Sequence, residues 1–310
     1  MRGVDSRRME RHIMKFGYVS LVGRPNSGKS TLLNQLLGCK VSIVSDKPQT
    51  TRTRILGVKN LPDAQIVFVD TPGIHRPGYR LNERMMAEVL EALRDVDLLL
   101  HLIDVSEPLG KGEEYAQELV RSAECRKFLL LNKVDKINKG KVLPLIEEFH
   151  AKGIYEEIFP ISALTGENLD RLQERMVEVL PEREPMYPRD FLTDKNERFL
   201  VAEIIREKVL LHTRQELPYA TAVLVEEFDE SRRDEGFVHI SASILVEKEG
   251  QKKIVIGRGG QMIKKIGTEA RREIEQLLGV PKVYLELYVR VEPGWRDREY
   301  LLDELGLGKG

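Results

Sequence analysis

The sequence predicts two domains: an α/β domain built on a mostly parallel sheet with helices on both faces, then a smaller α+β domain. Three observations lead there. Between Tyr18 and about Leu180, short apolar runs alternate with amphipathic stretches, as in a parallel sheet whose crossovers are helices. Residues Pro181–Pro188 hold three prolines among alternating charges and cannot continue a helix. Beyond them the order changes to helix, two strands, helices and a last strand. A chain of 310 residues also fits two cores better than one.

Taken in order, residues 1–15 are polar and basic, lack the apolar middle of a secretory signal, and read as a loose tail. The first domain then occupies residues 16–180, with strands expected at Tyr18–Val22, Ile66–Asp70, Leu98–Asp104, Phe128–Asn132 and Ile158–Ser162, and a helix at Thr31–Leu37. All but the first of these strands end on a polar residue, and open α/β sheets bind ligands at the carboxyl ends of their strands. A linker covers 181–189 and the second domain 190–310. That domain opens with a helix at Asn196–Leu211, whose stripe is Leu200, Ile204 and Leu211, widened by Val201, Ile205 and Val209. Strands at Ala222–Glu227 and Phe237–Val246 follow, then Lys252–Leu278 broken at Gly257–Gly260, and a strand at Val283–Val291. Trp295, the single tryptophan, is expected to anchor a final Gly294–Leu305 helix to the core rather than stack on a base.

Composition narrows the class of protein. Apolar residues at 41% and charged residues at 32% suit a folded globular chain. Apolar runs such as Leu98–Leu100 and Phe128–Leu131 break within a few residues, so none spans a bilayer. Only Cys39 and Cys125 occur, which argues against a disulfide framework or zinc site and fits a reducing cytoplasm. The net charge of −1 hides one basic cluster: Lys252, Lys253, Arg258, Lys264, Lys265, Arg271 and Arg272 stand against Glu269 alone. By itself such a cluster is as readily a solvated helix face as a binding surface.

Four motifs carry the chemistry of the first domain. Gly23-Arg24-Pro25-Asn26-Ser27-Gly28-Lys29-Ser30 matches G-x-x-x-x-G-K-[ST] between an apolar strand and the helix that starts near Thr31. Its glycines let backbone N–H groups turn inward around a β-phosphate, Lys29 brings a cation to the β- and γ-phosphates, and Ser30 offers a hydroxyl to Mg²⁺. Asp70-Thr71-Pro72-Gly73 ends a buried strand, where an unpaired acid is costly; a water-bridged magnesium is the natural partner, and Gly73 can offer an N–H to a γ-phosphate. Asn132-Lys133-Val134-Asp135 selects the base, because a carboxylate at Asp135 can accept both the ring N1–H and the exocyclic amine of guanine, a donor pair adenine lacks. Lys133 can lie over the base or brace the phosphate loop, and Asn132 can tie the two loops together. Ser162-Ala163-Leu164 follows the last strand, where a backbone N–H to the guanine oxygen is needed. GTP and GDP with Mg²⁺ are the expected ligands. A kinase or ATPase is disfavoured by Asn132–Asp135.

In this order the motifs resemble the Era family, GTPases of the translation-factor-related class, and the likeness covers nearly the whole chain. The resemblance implies that Gln49-Thr50-Thr51-Arg52 is the first switch and Thr51 its magnesium-sensing threonine, with Thr50 the adjacent alternative. Ile74 stands where many GTPases carry a glutamine that orients the attacking water, so hydrolysis must rest on another group, on backbone and metal, or on a partner. Asn26 resembles the asparagine that helps hold a potassium ion beside the phosphates in related GTPases, where it would supply charge to the transition state. The stretch from Ile254 to Ile266 resembles the core of a KH domain of the prokaryotic type, whose G-x-x-G loop clamps a single-stranded nucleic-acid backbone. Local propensity makes Lys253–Ile256 a strand, whereas the resemblance makes it a short helix. RNA contacts are then expected from Lys252, Lys253, Ile256, Gly257, Arg258, Gly259, Gly260, Lys264 and Lys265. The resemblance further implies the 3′ end of small-subunit ribosomal RNA and the small ribosomal subunit as partners. A monomer is expected, cytoplasmic, with peripheral contact at the inner face of the cell membrane. A competing reading makes the basic cluster a lipid or protein patch, but such a patch has no need of the backbone access that G-x-x-G gives.

Overall fold

A computed structural model describes residues 13–47, 49–74, 79–213 and 217–307. The first sheet contains β1 (Met14–Gly23), β2 (Ile55–Asn60), β3 (Ala64–Asp70), β4 (Leu98–Asp104), β5 (Arg126–Asn132), β6 (Glu157–Ile161) and β7 (Glu182–Arg183). Its main path runs β2-β3-β1-β4-β5-β6, parallel except for β2, which lies antiparallel to β3. Helices α1 (Lys29–Leu37) and α5 (Leu169–Val179) pack on one face around Val19, Leu21, Phe68, Leu100 and Phe128. Helices α2 (Arg80–Glu91) and α3 (Lys111–Ser122) cover the other with Val22, Ile74, Met86, Leu99 and Val120, and α4 (Val142–Ala151) joins them through Phe149. Central strands buried on both faces explain why their sequences are continuous apolar runs rather than alternating ones.

The second domain runs α6 (Glu197–His212), β8 (Ala222–Asp229), β9 (Phe237–Val246), α7 (Glu249–Ile256), α8 (Gln261–Leu278), β10 (Lys282–Val291) and α9 (Glu299–Glu304). Its sheet is β10-β9-β8, with β10 parallel and β8 antiparallel to β9. The stretch Lys253–Ile256 lies in α7, so the local strand preference loses to the requirement that Val255 be buried against α8 and the sheet. Trp295 is fully buried and its Nε1 donates to the Ala220 carbonyl at 2.9 Å, the expected anchoring role. The single expected C-terminal helix is two pieces, a 3₁₀ turn at Trp295–Asp297 and α9.

Two expected boundaries change. Met14 and Lys15 belong to β1, paired with Arg183 and Glu182, rather than to a loose tail; residues 1–12 lie outside the described residues. The stretch expected as a linker is fastened along the first domain: Gln65 exchanges side-chain bonds with the Tyr187 backbone, Asn60 Nδ2 donates to the Arg189 carbonyl, and Val58 N–H donates to Leu192 O at 2.8 Å. Prolines forbid a helix there but permit an extended edge segment. The two domains also share a cluster in which Leu81 and Met85 of α2 meet Leu245, Trp295, Leu301 and Leu302.

Candidate active site and nucleic-acid interface

The phosphate loop joins β1 to α1, and its shape depends on residues that tolerate positive φ, Asn26 at +63° and Gly28 at +100°. A Cβ on Gly28 would lie 2.2 Å from Asn132 Nδ2, because Asn132 crosses to donate to the Ser27 carbonyl at 2.7 Å. Asn132 Oδ1 also accepts from the Ala163 N–H at 2.9 Å, so one amide ties the phosphate, base-selecting and Ser162-Ala163-Leu164 loops together. Gly73 packs as tightly: an added Cβ would meet Pro25 N at 2.6 Å, and the next N–H, that of Ile74, donates to Gly23 O at 3.0 Å.

Lys29 is buried at the base of this loop and donates to Gly23 O at 3.1 Å and Arg24 O at 3.0 Å. Burial lowers its pKa to about 8 against the opposing pull of Asp70 and Glu113. Ser30 Oγ lies 2.7 Å from Asp70 Oδ2 and 2.8 Å from Thr51 Oγ1. Ser42, which the motifs did not mark, donates to the same Asp70 oxygen at 3.0 Å. Asp70 Oδ1 is buried with no hydrogen-bond partner among the described residues, and burial raises the carboxyl's pKa despite Lys29, Ser30 and Ser42. Two hydroxyls and an orphaned buried carboxylate oxygen fit a hard divalent cation. Thr50 does not reach this point, since its Oγ1 turns to the Lys47 carbonyl at 2.6 Å. Thr31 and Pro25 line the same cleft. Asn26 Nδ2 donates to Asp46 O at 2.7 Å, so its carbonyl oxygen is the side-chain atom free of that bond.

Ile74 was expected among the nucleotide contacts, but its side chain is buried in the core with Val22, Met86 and Val89, and Val134 is buried likewise. Thr71 is structural too, its hydroxyl capping the Leu21 carbonyl at 2.7 Å. In the base-selecting loop Asp135 is exposed, while Lys133, at φ +68°, pairs with Asp104. Burial alone would raise the Asp104 pKa, but bonds from Lys133 and Ser106 hold it below the usual carboxylate value. Asp104 was legible only as a polar strand end. Ser162 is buried and accepts from the Thr165 N–H at 3.2 Å, and Leu164 stands exposed at the loop tip.

The second site lies between α7 and α8. Gly257, Gly259 and Gly260 all have positive φ, and a Cβ on Gly257 would come within 2.6 Å of Met262 Cβ and 2.9 Å of its nitrogen. Among the described residues, none beyond the chain neighbours comes within 4 Å of a Cβ on Gly259 or Gly260, so the loop presents bare backbone. Lys253, Arg258, Lys264 and Lys265 are exposed around it, Lys252 and Ile256 half-buried. Sequence reasoning missed the adjoining groove between α8 and β10, lined by Ile263, Thr268, Arg271, Tyr284 and Leu287. Its signal was the large exposed Tyr284 in the last strand.

Comparison with known proteins agrees with this arrangement. A family model described as "50S ribosome-binding GTPase" matches residues 18–133, and a KH domain model matches 216–296. GTPase Era of Geobacter metallireducens is 52% identical over 290 residues, 94% of this chain and 97% of its own. The Geotalea daltonii protein is 49% identical over the same shares. A solved Era in complex with MgGDPNP and nucleotides 1506–1542 of 16S ribosomal RNA superimposes with a TM-score of 0.91 at 45% identity, over 96% of this chain and all of that one. A variant of Aquifex aeolicus Era bound to GDP and AlF₄⁻ matches equally well. With relatives this similar across both domains, the chain belongs to the Era family of GTPases.

Proposed function

We propose that this chain is a GTP-hydrolysing switch that binds the 3′ end of 16S ribosomal RNA through its G-x-x-G loop during assembly of the small ribosomal subunit. The observation that carries the reading is the convergence of the Ser30 and Thr51 hydroxyls with Asp70 Oδ2, the other Asp70 oxygen being buried without a partner among the described residues, in a chain that also presents a bare glycine loop ringed by cations. The family model's large-subunit wording covers only residues 18–133, whereas the 16S complex resembles the whole chain, which favours the small subunit.

In this mechanism Ser30 and Thr51, with Asp70 beside Ser30, would hold the metal, and Mg²⁺ would supply charge compensation at the β- and γ-phosphates. Lys29 exchanges two loop carbonyls for phosphate oxygens. Gly73 N–H meets the γ-phosphate, and Asp135 accepts from guanine, with Lys133 braced by Asp104 beside the base. The Ala163 amide is committed to Asn132, which leaves the guanine oxygen to another amide of the Ser162–Leu164 loop. Ile74, buried, orients nothing, so water positioning falls to backbone, metal or partner; Asn26 Oδ1, left over when Nδ2 bonds the Asp46 carbonyl, is the side-chain oxygen that would help hold a potassium ion. The functional units are the α/β domain, with Met14, Lys15 and the segment after Pro181 fastened to it, and the KH domain from residue 190, working as a monomer in the cytoplasm with peripheral contact at the membrane. No helix among the described residues is long and apolar enough to cross a bilayer.

The test is the double substitution Arg258→Asp/Gly259→Asp. It places two charges and two side chains where phosphates must meet backbone, so affinity for a 16S 3′-end oligonucleotide should fall at least a hundredfold while GTP affinity stays within twofold. Parental RNA binding by the variant would leave the loop a mere turn.

A further inference from the structure

We infer that Arg206, on the first helix of the RNA-binding domain, is a positioning residue for the GTPase site: it grips the Thr50 carbonyl and so holds Thr51 where the metal needs it. This deepens the reading above and rests on it for the role of Thr51. The described residues between Val41 and Arg54 form neither helix nor strand, so their place depends on what they are tied to. Asn34 of α1 secures the beginning through the Val41 N–H at 3.0 Å and the Ser42 carbonyl at 2.7 Å.

From there the ties pass to the other domain. Lys40 reaches Glu207 Oε2 at 2.6 Å and Glu273 Oε1 at 2.5 Å, and the Val44 N–H donates to Glu207 Oε1 at 2.9 Å. Arg206 Nη2 donates to the carbonyl of Thr50, and Arg52 Nη1 donates to the Thr221 carbonyl at 2.8 Å with its guanidinium 5.4 Å from the centre of the Trp295 ring. Thr51 sits between these last two anchors, its hydroxyl 2.8 Å from Ser30 Oγ. Arg206 is 2% exposed and is itself locked by a two-point bond to Glu203 at 2.7 and 2.6 Å, which fixes the guanidinium in one geometry. Removing it would leave a carbonyl without its donor and free the chain one residue from the metal ligand. Because α6 packs on α8, which begins at the G-x-x-G loop, the helix that grips the switch is seated on the one that meets RNA.

The experiment uses the full chain with Arg206→Gln and Arg206→Lys. Binding of a fluorescent GTP analogue is titrated with Mg²⁺, GDP affinity is measured in EDTA, and acrylamide quenching of Trp295 reports whether Arg52 still covers the ring. We expect Arg206→Gln to need at least tenfold more Mg²⁺ for half-saturation, with GDP affinity in EDTA within twofold of the parent. Trp295 should be quenched more readily at low Mg²⁺ and return to the parental value at saturation. Arg206→Lys, which keeps a cation and a donor, should recover part of the loss. An unchanged Mg²⁺ requirement and unchanged quenching in a folded Arg206→Gln protein would overturn the inference. Should that variant not fold, Glu207→Ala, which removes the Val44 and Lys40 ties, must raise the Mg²⁺ requirement, and parental behaviour there overturns it equally. A parent that binds no GTP at any Mg²⁺ concentration would instead refute the proposed function.

Discussion

A single lysine shows how burial and function oppose one another at residue scale. Lys29 is enclosed by the loop that will wrap phosphate, and burial brings its pKa down to about 8. A bound diphosphate favours the charged form and raises the value again. Below pH 8 the ammonium is already protonated and binding takes up no proton; above pH 8 binding must first protonate it, so affinity falls with rising pH, up to tenfold per unit. GDP affinity measured in EDTA between pH 7 and 9 should therefore decline in the parent above pH 8. Lys29→Arg, whose cation does not titrate there, should lack that component. Identical profiles for the two proteins would remove the effect. At this scale the phosphate and base motifs were readable because each residue's chemistry is fixed by its ligand. Thr50 and Thr51 could not be separated by chemistry, since both are threonines; only the backbone path, with Thr50 Oγ1 spent on Lys47 O, distinguishes them. Ile74 was misplaced because pattern says where a residue stands along the chain and not whether its side chain turns toward ligand or core.

Among elements, the loop between α7 and α8 gives the sharpest test. Gly257 has φ +73° and ψ 175°, a region essentially closed to residues with a Cβ, and an added methyl would collide with Met262 at the start of α8. Gly259, at φ +57°, has open space around it. Gly257→Ala should weaken RNA binding at least tenfold by reshaping the loop, Gly259→Ala by clearly less, and neither should alter GTP affinity. Equal losses in electrophoretic or anisotropy titrations would contradict the geometric distinction. Most strands and the mostly parallel character of the sheet were legible, since strands buried on both faces must be apolar throughout. Strand β2 was not, because Ile55–Asn60 is short, interrupted by Gly57, and the glycine is there for a reason no local pattern reveals: its Cβ would strike Leu37 Cδ1 at 2.6 Å. The segment after Pro181 escaped for a related reason. Its hydrogen bonds are to strands more than a hundred residues earlier, and local composition records only that it is not helical.

For the molecule as a whole the question is how a chain of net charge −1 and isoelectric point near 6.6 holds a polyanion. Bulk charge gives no attraction, so binding must be carried by cations concentrated at the glycine loop, with acidic groups kept away from it. The structure meets that condition: Lys253, Arg258, Lys264 and Lys265 are exposed together, while Glu269 is occupied by His212 at 2.6 Å and Glu273 by Lys40 at 2.5 Å. Each neutralised phosphate releases counterions, and for a single strand log K falls with log salt at a slope of about −0.7 per contact. Four contacts give a slope of roughly −2.8, or on the order of a fiftyfold loss between 50 and 200 mM salt. Lys264→Ala/Lys265→Ala should weaken binding to every RNA sequence alike and halve the slope to about −1.4, because two of the four contacts are gone. GTP affinity, set by contacts in the other domain, should not change with that substitution. A slope that stays near −2.8 in the variant would mean that other cations neutralise the RNA, with Arg271 and Lys252 the next to be substituted. A parental slope near zero would mean that RNA is held by stacking in the groove beside Tyr284 rather than by the charge around the loop.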